Sequence, residues 1–297
     1  MNMSDITTRP DTRPAAASGT FAIGGNLPVH RLGFGAMRIT GAGIWGEPAD
    51  HDEAIAVLRT AVDLGVTIID TADSYGPEVS ERLIAEALYP YPSDLVIATK
   101  AGLVRPGPSR WEPDGRPEHL RAACEGSLHR LRLQRIDLLQ LHRVDPKVPL
   151  EDQIGTLIEL QREGKIRHIG LSNVSVEQID AVRRLTTIVS VQNLYNLADR
   201  DSEDVLEYCT RENIGFIPWF PLATGDLAEP GGALARIAQR LETLPAQVAL
   251  AWLLAKSPVM LPIPGTSKVR HLKENVEAAH LTLTSADMEE LARTPRG

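Results

Sequence analysis

Short apolar runs rich in Ile and Val alternate along the chain with longer amphipathic segments. The runs are LGFGAM (32–37), TIIDTA (67–72), LVIATK (95–100), IDLLQLH (136–142), IRHIGLS (166–172), IVSVQN (188–193), GFIPWF (215–220) and VMLPIPG (259–265). Each has the length and composition of a buried strand. The segments between them follow the helical period. DEAIAVLRTAVDLG aligns Ile55, Leu58, Ala61, Val62 and Gly65 on one face. LEDQIGTLIELQREGK aligns Ile154, Leu157, Ile158 and Leu160 and stops at Gly164. SVEQIDAVRRL opens on Ser175 and carries Gln178 three residues on, a capping-box pair.

Eight strand-like runs separated by helical patterns predict a parallel sheet, and that count in a 297-residue chain fits a (β/α)8 TIM barrel best. A doubly wound sheet is the runner-up. It lacks its signature, because GFGAMRITGAG after the first run does not space its glycines as GxGxxG. TFAIGGNLPVHRL reads as a hairpin turning at Gly24–Asn26, an N-terminal β-hairpin cap for the barrel bottom. SADMEELART (285–294) reads as a short C-terminal helix. No linker divides the chain after residue 20. The expectation is a disordered tail over 1–19 and one barrel domain over 20–297.

Composition narrows the function classes. A net charge of −8 argues against nucleic acid as the main partner, since phosphate backbones demand clustered Lys and Arg. It leaves room for a local basic pocket. Cys124 and Cys209 lie in helical patterns with no CxxC or Cys/His neighbour, so neither a metal site nor a disulfide framework is expected. The longest wholly apolar run, Val248 to Ala255, is too short to span a bilayer. MNMSDITTRPDTRPAAASG has no apolar segment of a secretory signal, and a cytoplasmic protein without membrane partners is expected.

In a (β/α)8 barrel the chemistry gathers at the C-terminal ends of strands. The second run ends at Asp70, the third at Lys100 and the fourth at His142, and Tyr75 follows the second run by one short turn. Singly, each has a bland explanation: a helix cap or ion pair, a solvated strand end, a structural histidine, a turn tyrosine. Together, on three successive strand ends, they converge on one mouth and point to catalysis.

These stretches resemble the aldo-keto reductases. IIDTADSYG, IATK, IDLLQLH, IGLSN, VQNLYN and IPGTS…KEN occur in that family's order, from about residue 20 to the C-terminus. The resemblance implies a barrel that binds NADP(H) in an extended pose and reduces carbonyls, with Asp70, Tyr75, Lys100 and His142 as the tetrad. In that chemistry, hydride transfer leaves an alkoxide-like oxygen that needs a proton and a stabilising field. Tyr75 is the proton donor, Lys100 is expected to lower its pKa, Asp70 holds Lys100, and His142 orients the carbonyl oxygen.

The same resemblance implies the cofactor site. Ser172 and Asn173 match the carboxamide-binding pair, with Gln192 beside them. Trp219 stands where relatives stack a tyrosine or phenylalanine on the nicotinamide. Gly35, Met37, Asp70, Pro221, Leu222 and Pro264 border the bound dinucleotide. Many relatives carry lysine at the position of Gly265 and arginine at that of His271; this chain has neither. Thr266, Ser267, Lys268 and Arg270 take over the adenosine 2′-phosphate at a helix N-terminus, and Glu274 and Asn275 match the adenine-contacting pair. NADPH is expected over NADH. Trp45 and Trp111 are the candidate substrate-lining residues. The sequence ends at Gly297, without the long closing segment of many relatives, and a comparatively open mouth is expected.

LYPYPSDLVIATK and IPGTSKVRHLKENV resemble the branch related to aryl-alcohol dehydrogenases and pyridoxal reductases, which implies a small carbonyl substrate such as an aromatic aldehyde or pyridoxal. Relatives of this length imply a monomer or homodimer. Two other readings stand beside this one. A Schiff-base aldolase would use Lys100 as nucleophile but leaves IGLSN and IPGTS unexplained. An NADP(H)-sensing interaction subunit would keep the tetrad with little turnover.

Overall fold

The computed structural model describes residues 13–222 and 232–294. The strands are β1 Thr20–Ile23, β2 Leu27–His30, β3 Phe34–Gly35, β4 Ile68–Asp70, β5 Val96–Ala101, β6 Leu103–Gly107, β7 Arg110–Pro113, β8 Ile136–Leu141, β9 Ile166–Ser172, β10 Ser190–Leu194 and β11 Gly215–Trp219. The helices are α1 His51–Asp63, α2 Val79–Leu88, α3 Pro117–Arg130, α4 Leu150–Arg162, α5 Val176–Arg183, α6 Glu203–Glu212, α7 Ala233–Arg240, α8 Pro245–Lys256, α9 Val269–Val276 and α10 Ser285–Ala292.

Seven strands form one curled parallel sheet in the order β11-β10-β9-β8-β5-β4-β3. Six of the eight runs pair at their expected positions and LGFGAM gives the short β3. The eighth run closes the barrel without becoming a regular strand. Phe216 N donates to Val259 O (2.9 Å), Leu261 N to Phe216 O (2.8 Å) and, on the other side, Gly33 N to Pro262 O (2.9 Å). Pro262 and Pro264 have no N–H, so toward β3 the segment can accept but not reciprocate, and no ladder forms there.

The β1–β2 hairpin pairs Thr20 with His30 through Ile23 with Leu27. Phe21, Ile23, Leu27 and Val29 bury into the main core, and Asn26 Oδ1 meets His168 Nε2 (2.8 Å) near the N-terminal end of β9. The hairpin therefore plugs the bottom, as its alternation predicts. Residues 14–18, read from sequence as part of a disordered tail, instead form a 3-10 helix. Ala15 N donates to Leu64 O (3.0 Å), and Leu32 N donates to Ser18 Oγ (3.0 Å). Burial of Ala15 supplies what the polar composition of the tail obscured; residues 1–12 lie outside the described residues.

Helices form where caps and apolar faces agree. Asp50 caps α1 by accepting from Glu53 N, and Ser175 and Gln178 make the reciprocal capping box on α5. α8, buried over Gln247–Leu253, absorbs the long apolar run as a core helix rather than a membrane segment. Among the described residues no helix is long and apolar enough to cross a membrane. One feature was not legible: the connection after β5 is itself a hairpin, β6–β7, rather than a loop.

Candidate active site

The strand register stacks polar side chains inside the barrel mouth. Asp70 pairs across from Ala98, Lys100 from Gln140, Gln140 from Gly170, and Ser172 from Gln192. Inward positions recur every second residue, which puts Gln140 and His142 on one face. Lys100 Nζ, fully buried, donates to Asp70 Oδ1 (2.6 Å), to Thr71 O (2.8 Å) and to Tyr75 OH (3.2 Å). The second carboxylate oxygen of Asp70 accepts from Gln192 Nε2 (2.8 Å) and Gln140 Nε2 (3.1 Å). A buried ion pair is tolerable only when its remaining hydrogen-bonding positions are filled, and here they are. Gly170 makes room for this layer: a Cβ there would lie 2.2 Å from Ser190 Oγ and 2.9 Å from Gln140 Cγ.

The electrostatics follow from burial. Burial alone would push the Lys100 pKa down, but Asp70 and Tyr75 outweigh it and the ammonium is held above its ordinary value. For Tyr75 the balance goes the other way. Burial raises the phenol more than Lys100 lowers it, so the net direction is up. Lys100 acts on Tyr75 in the expected, lowering direction, but it opposes the rise without reversing it. His142 lies well below its usual range because it is buried, with Lys100, Arg143 and Arg105 adding to the effect. It is a neutral imidazole at neutral pH. Ser74 Oγ meets its Nδ1 at 3.3 Å, leaving Nε2 for a ligand.

All four tetrad positions come together, and Asp70, Tyr75 and His142 line one cavity of ≈ 450 Å³. The expected cofactor residues Gly35, Met37, Ser172, Asn173, Gln192, Trp219, Pro221, Leu222, Pro264 and Gly265 line it too. Asn173 is held at φ 57°; its Nδ2 donates to Ser172 Oγ (2.8 Å), and its Oδ1 accepts from Trp219 Nε1 (3.1 Å). Amide and hydroxyl groups beside an indole fit a nicotinamide with its carboxamide. Gln192, expected only beside that pair, also braces Asp70.

Farther out the placement is mixed. Thr266 and Ser267 line a groove continuous with the cavity. Lys268 caps α9, while Arg270 turns to Glu274 (3.8 Å) and His271 (3.0 Å), and Asn275 is buried. The α9 N-terminus, expected to meet a phosphate, already has one amide satisfied: Val269 N donates to Glu53 Oε1 (2.9 Å). Trp111 lines the cavity, edge-on to Tyr75 (6.2 Å) and His142 (6.3 Å). Trp45, expected to line the substrate site, does not reach the cavity; its ring lies 5.6 Å from the Arg105 guanidinium.

Sequence reasoning missed Gln140, Ser74 and Arg105, together with Arg38 and Arg143 on the cavity wall. Gln140 had a signal, a lone amide in LLQLH two residues before His142. Arg105 had none.

Comparison with known proteins agrees with this geometry. Residues 31–294 match the Aldo/keto reductase family. An uncharacterized oxidoreductase of Schizosaccharomyces pombe is 54% identical over 91% of this chain and 88% of its own length. Pyridoxine 4-dehydrogenase of Escherichia coli is 43% identical, covering 90% and 95%. Among solved structures, glycerol dehydrogenase from Gluconobacter oxydans superposes with a TM-score of 0.84 at 29% identity, covering 93% and 94%. An aldo-keto reductase from Klebsiella pneumoniae in complex with NADPH gives a TM-score of 0.79 at 28% identity, covering 94% and 95%. On the family match, the coverage and the assembled strand-end residues, this chain belongs to the aldo/keto reductase family of oxidoreductases.

Proposed function

We propose that the protein is an NADPH-dependent reductase of small aldehydes, with flat aromatic aldehydes, pyridoxal among them, as its substrates. The observation that carries the reading is the contact of a fully buried, Asp70-paired Lys100 with the Tyr75 hydroxyl at 3.2 Å, on the wall of a cavity shared with His142. NADPH, when bound, supplies the hydride. Ser172 and Asn173 hold its carboxamide, Trp219 gives the ring a flat wall, and Thr266, Ser267, Lys268 and Arg270 serve the adenosine phosphate. The Klebsiella relative's NADPH supports the choice of cofactor.

Tyr75 holds its proton because burial raises its pKa, which suits a proton donor in the reductive direction. Lys100 stabilises the phenolate left behind. Ser74 Oγ lies 3.3 Å from His142 Nδ1; in this reading it donates there, so that Nε2 carries the ring proton and donates to the substrate oxygen. The apolar wall of Ile44, Leu103 and Trp111 favours a flat ring over a polyol. The pyridoxine 4-dehydrogenase relative supports pyridoxal as a member of that class.

The test follows nicotinamide absorbance with NADPH or NADH and a panel containing pyridoxal, 4-nitrobenzaldehyde and butanal. NADPH oxidation fastest with the aromatic aldehydes is the expected result. Tight NADPH binding with no turnover on any aldehyde would instead favour a cofactor-sensing subunit.

A further inference from the structure

Arg105 sits in β6, outside the tetrad, with only 9% of its surface exposed. Its hydrogen bonds go to backbone carbonyls. Nη1 donates to Ile44 O (2.8 Å) and Ser74 O (3.0 Å), Nη2 to Gly43 O (3.0 Å), and Nε to Arg110 O (2.8 Å). Those acceptors belong to the connections after β3, β4 and β5. The guanidinium lies 3.7 Å from the Trp111 ring and 5.6 Å from that of Trp45. A planar cation with five donors suits such a node; an ammonium does not.

Two further observations give the node a purpose. Ile44 is a β-branched residue at φ 56°, a strained conformation that persists only when surrounding contacts enforce it, and Arg105 holds its carbonyl. Two of the residues Arg105 contacts, Trp111 and Ser74, also touch the tetrad. Trp111 meets Tyr75 and His142 edge-on, and Ser74 meets His142 Nδ1.

We propose that Arg105 is a positioning residue that locks Trp111 as a flat wall over Tyr75 and His142, and so makes the site selective for planar, ring-bearing carbonyl compounds. The inference rests on the reductase reading and deepens it. Arg105 itself touches no reacting atom; it acts through Trp111. The indole stacks on the guanidinium, which fixes a ring plane at 87° to that of Tyr75 and 64° to that of His142.

The test is a double-mutant cycle of Arg105→Met and Trp111→Leu, read as kcat and KM with NADPH for 4-nitrobenzaldehyde and butanal. Loss of a desolvated cation–π contact predicts that Arg105→Met lowers kcat/KM about 10- to 100-fold for the aromatic aldehyde, mostly through KM, with butanal changing less than about 3-fold. Because Arg105 acts through Trp111, the double variant should be no worse than Trp111→Leu by more than about 2-fold. Arg105→Lys, which keeps the charge but not the planar fork, should recover little of the selectivity, with NADPH affinity unchanged. Additive losses, or equal losses on both aldehydes, would overturn the proposal.

A binding arm keeps failure of this proposal distinct from failure of the reductase reading. Calorimetry with NADP+ present would compare 4-nitrobenzyl alcohol with butanol. A wild-type preference for the aromatic alcohol that Arg105→Met abolishes supports the proposal even without turnover. An unchanged preference overturns it.

Discussion

Two buried cations sit at different depths of the barrel mouth, and the protein treats them oppositely. Lys100, inside the barrel, faces a carboxylate at 2.6 Å and is held above its ordinary pKa. Arg105, in the lip above, has backbone carbonyls and two indole rings, and burial pushes its pKa down. Strand register brings a full counter-charge to one, whereas loops bring only dipoles and π-faces to the other. An ion-paired ammonium polarises a neighbouring phenol; a guanidinium clamped by carbonyls organises backbone. Asp73 is a third case between them. It is buried near Glu81, Arg130 and Glu78, its Oδ1 lacks a hydrogen-bond partner, and its pKa is pushed up to about 8, chiefly by burial.

The comparison can be broken most forcefully at Lys100. Lys100→Met leaves Asp70 as an uncompensated buried charge, and the loss expected in chemical denaturation is about 3–5 kcal/mol, with activity abolished. A variant as stable as wild type would mean that the pair does not behave as a buried ion pair.

Asp73 gives the next effect, and its sign is set by linkage. Unfolded, the carboxyl has a pKa of ~3.9. Folded, it titrates at about 8. Between those values the folded state keeps a proton that the unfolded chain has released, so raising the pH through that window destabilises the fold. Asp73→Asn should therefore stabilise more at pH 8 than at pH 5, by at most about 1.4 kcal/mol per pH unit crossed. Equal gains at both pH values, measured by thermal melts, would contradict the assignment.

Gln140→Leu is the mildest probe. It removes one of two amide donors to Asp70 Oδ2 and leaves Gln192 in place. A loss of about 1–3 kcal/mol is expected, with Tyr75-dependent turnover retained.

The same contrast explains what could be read before the fold was known. The convergence of the four candidates was legible because three of them close apolar runs and Tyr75 follows one by a short turn, and barrel geometry turns strand ends into one mouth. The bottom hairpin was legible from its alternation around Gly24–Asn26. Gln140 was half-legible, a polar residue at an inward position. The lip was not. Its contacts join residues 43–45, 74 and 105–111 through backbone carbonyls, and a carbonyl leaves no trace in residue identity. Trp45 was assigned to the substrate wall because exposure to a cavity and stacking on a guanidinium call for the same side chain. The rise in the Tyr75 pKa was missed because a charge partner is visible in sequence and the depth of burial is not.

The most direct test of the central claim, that Tyr75 held by Lys100 is the proton donor, is steady-state reduction of 4-nitrobenzaldehyde by Tyr75→Phe beside its NADPH affinity. A general acid is worth about 10²- to 10⁴-fold, so kcat should fall by that factor while the NADPH Kd stays within about 2-fold. Turnover within a few-fold of wild type would contradict the account.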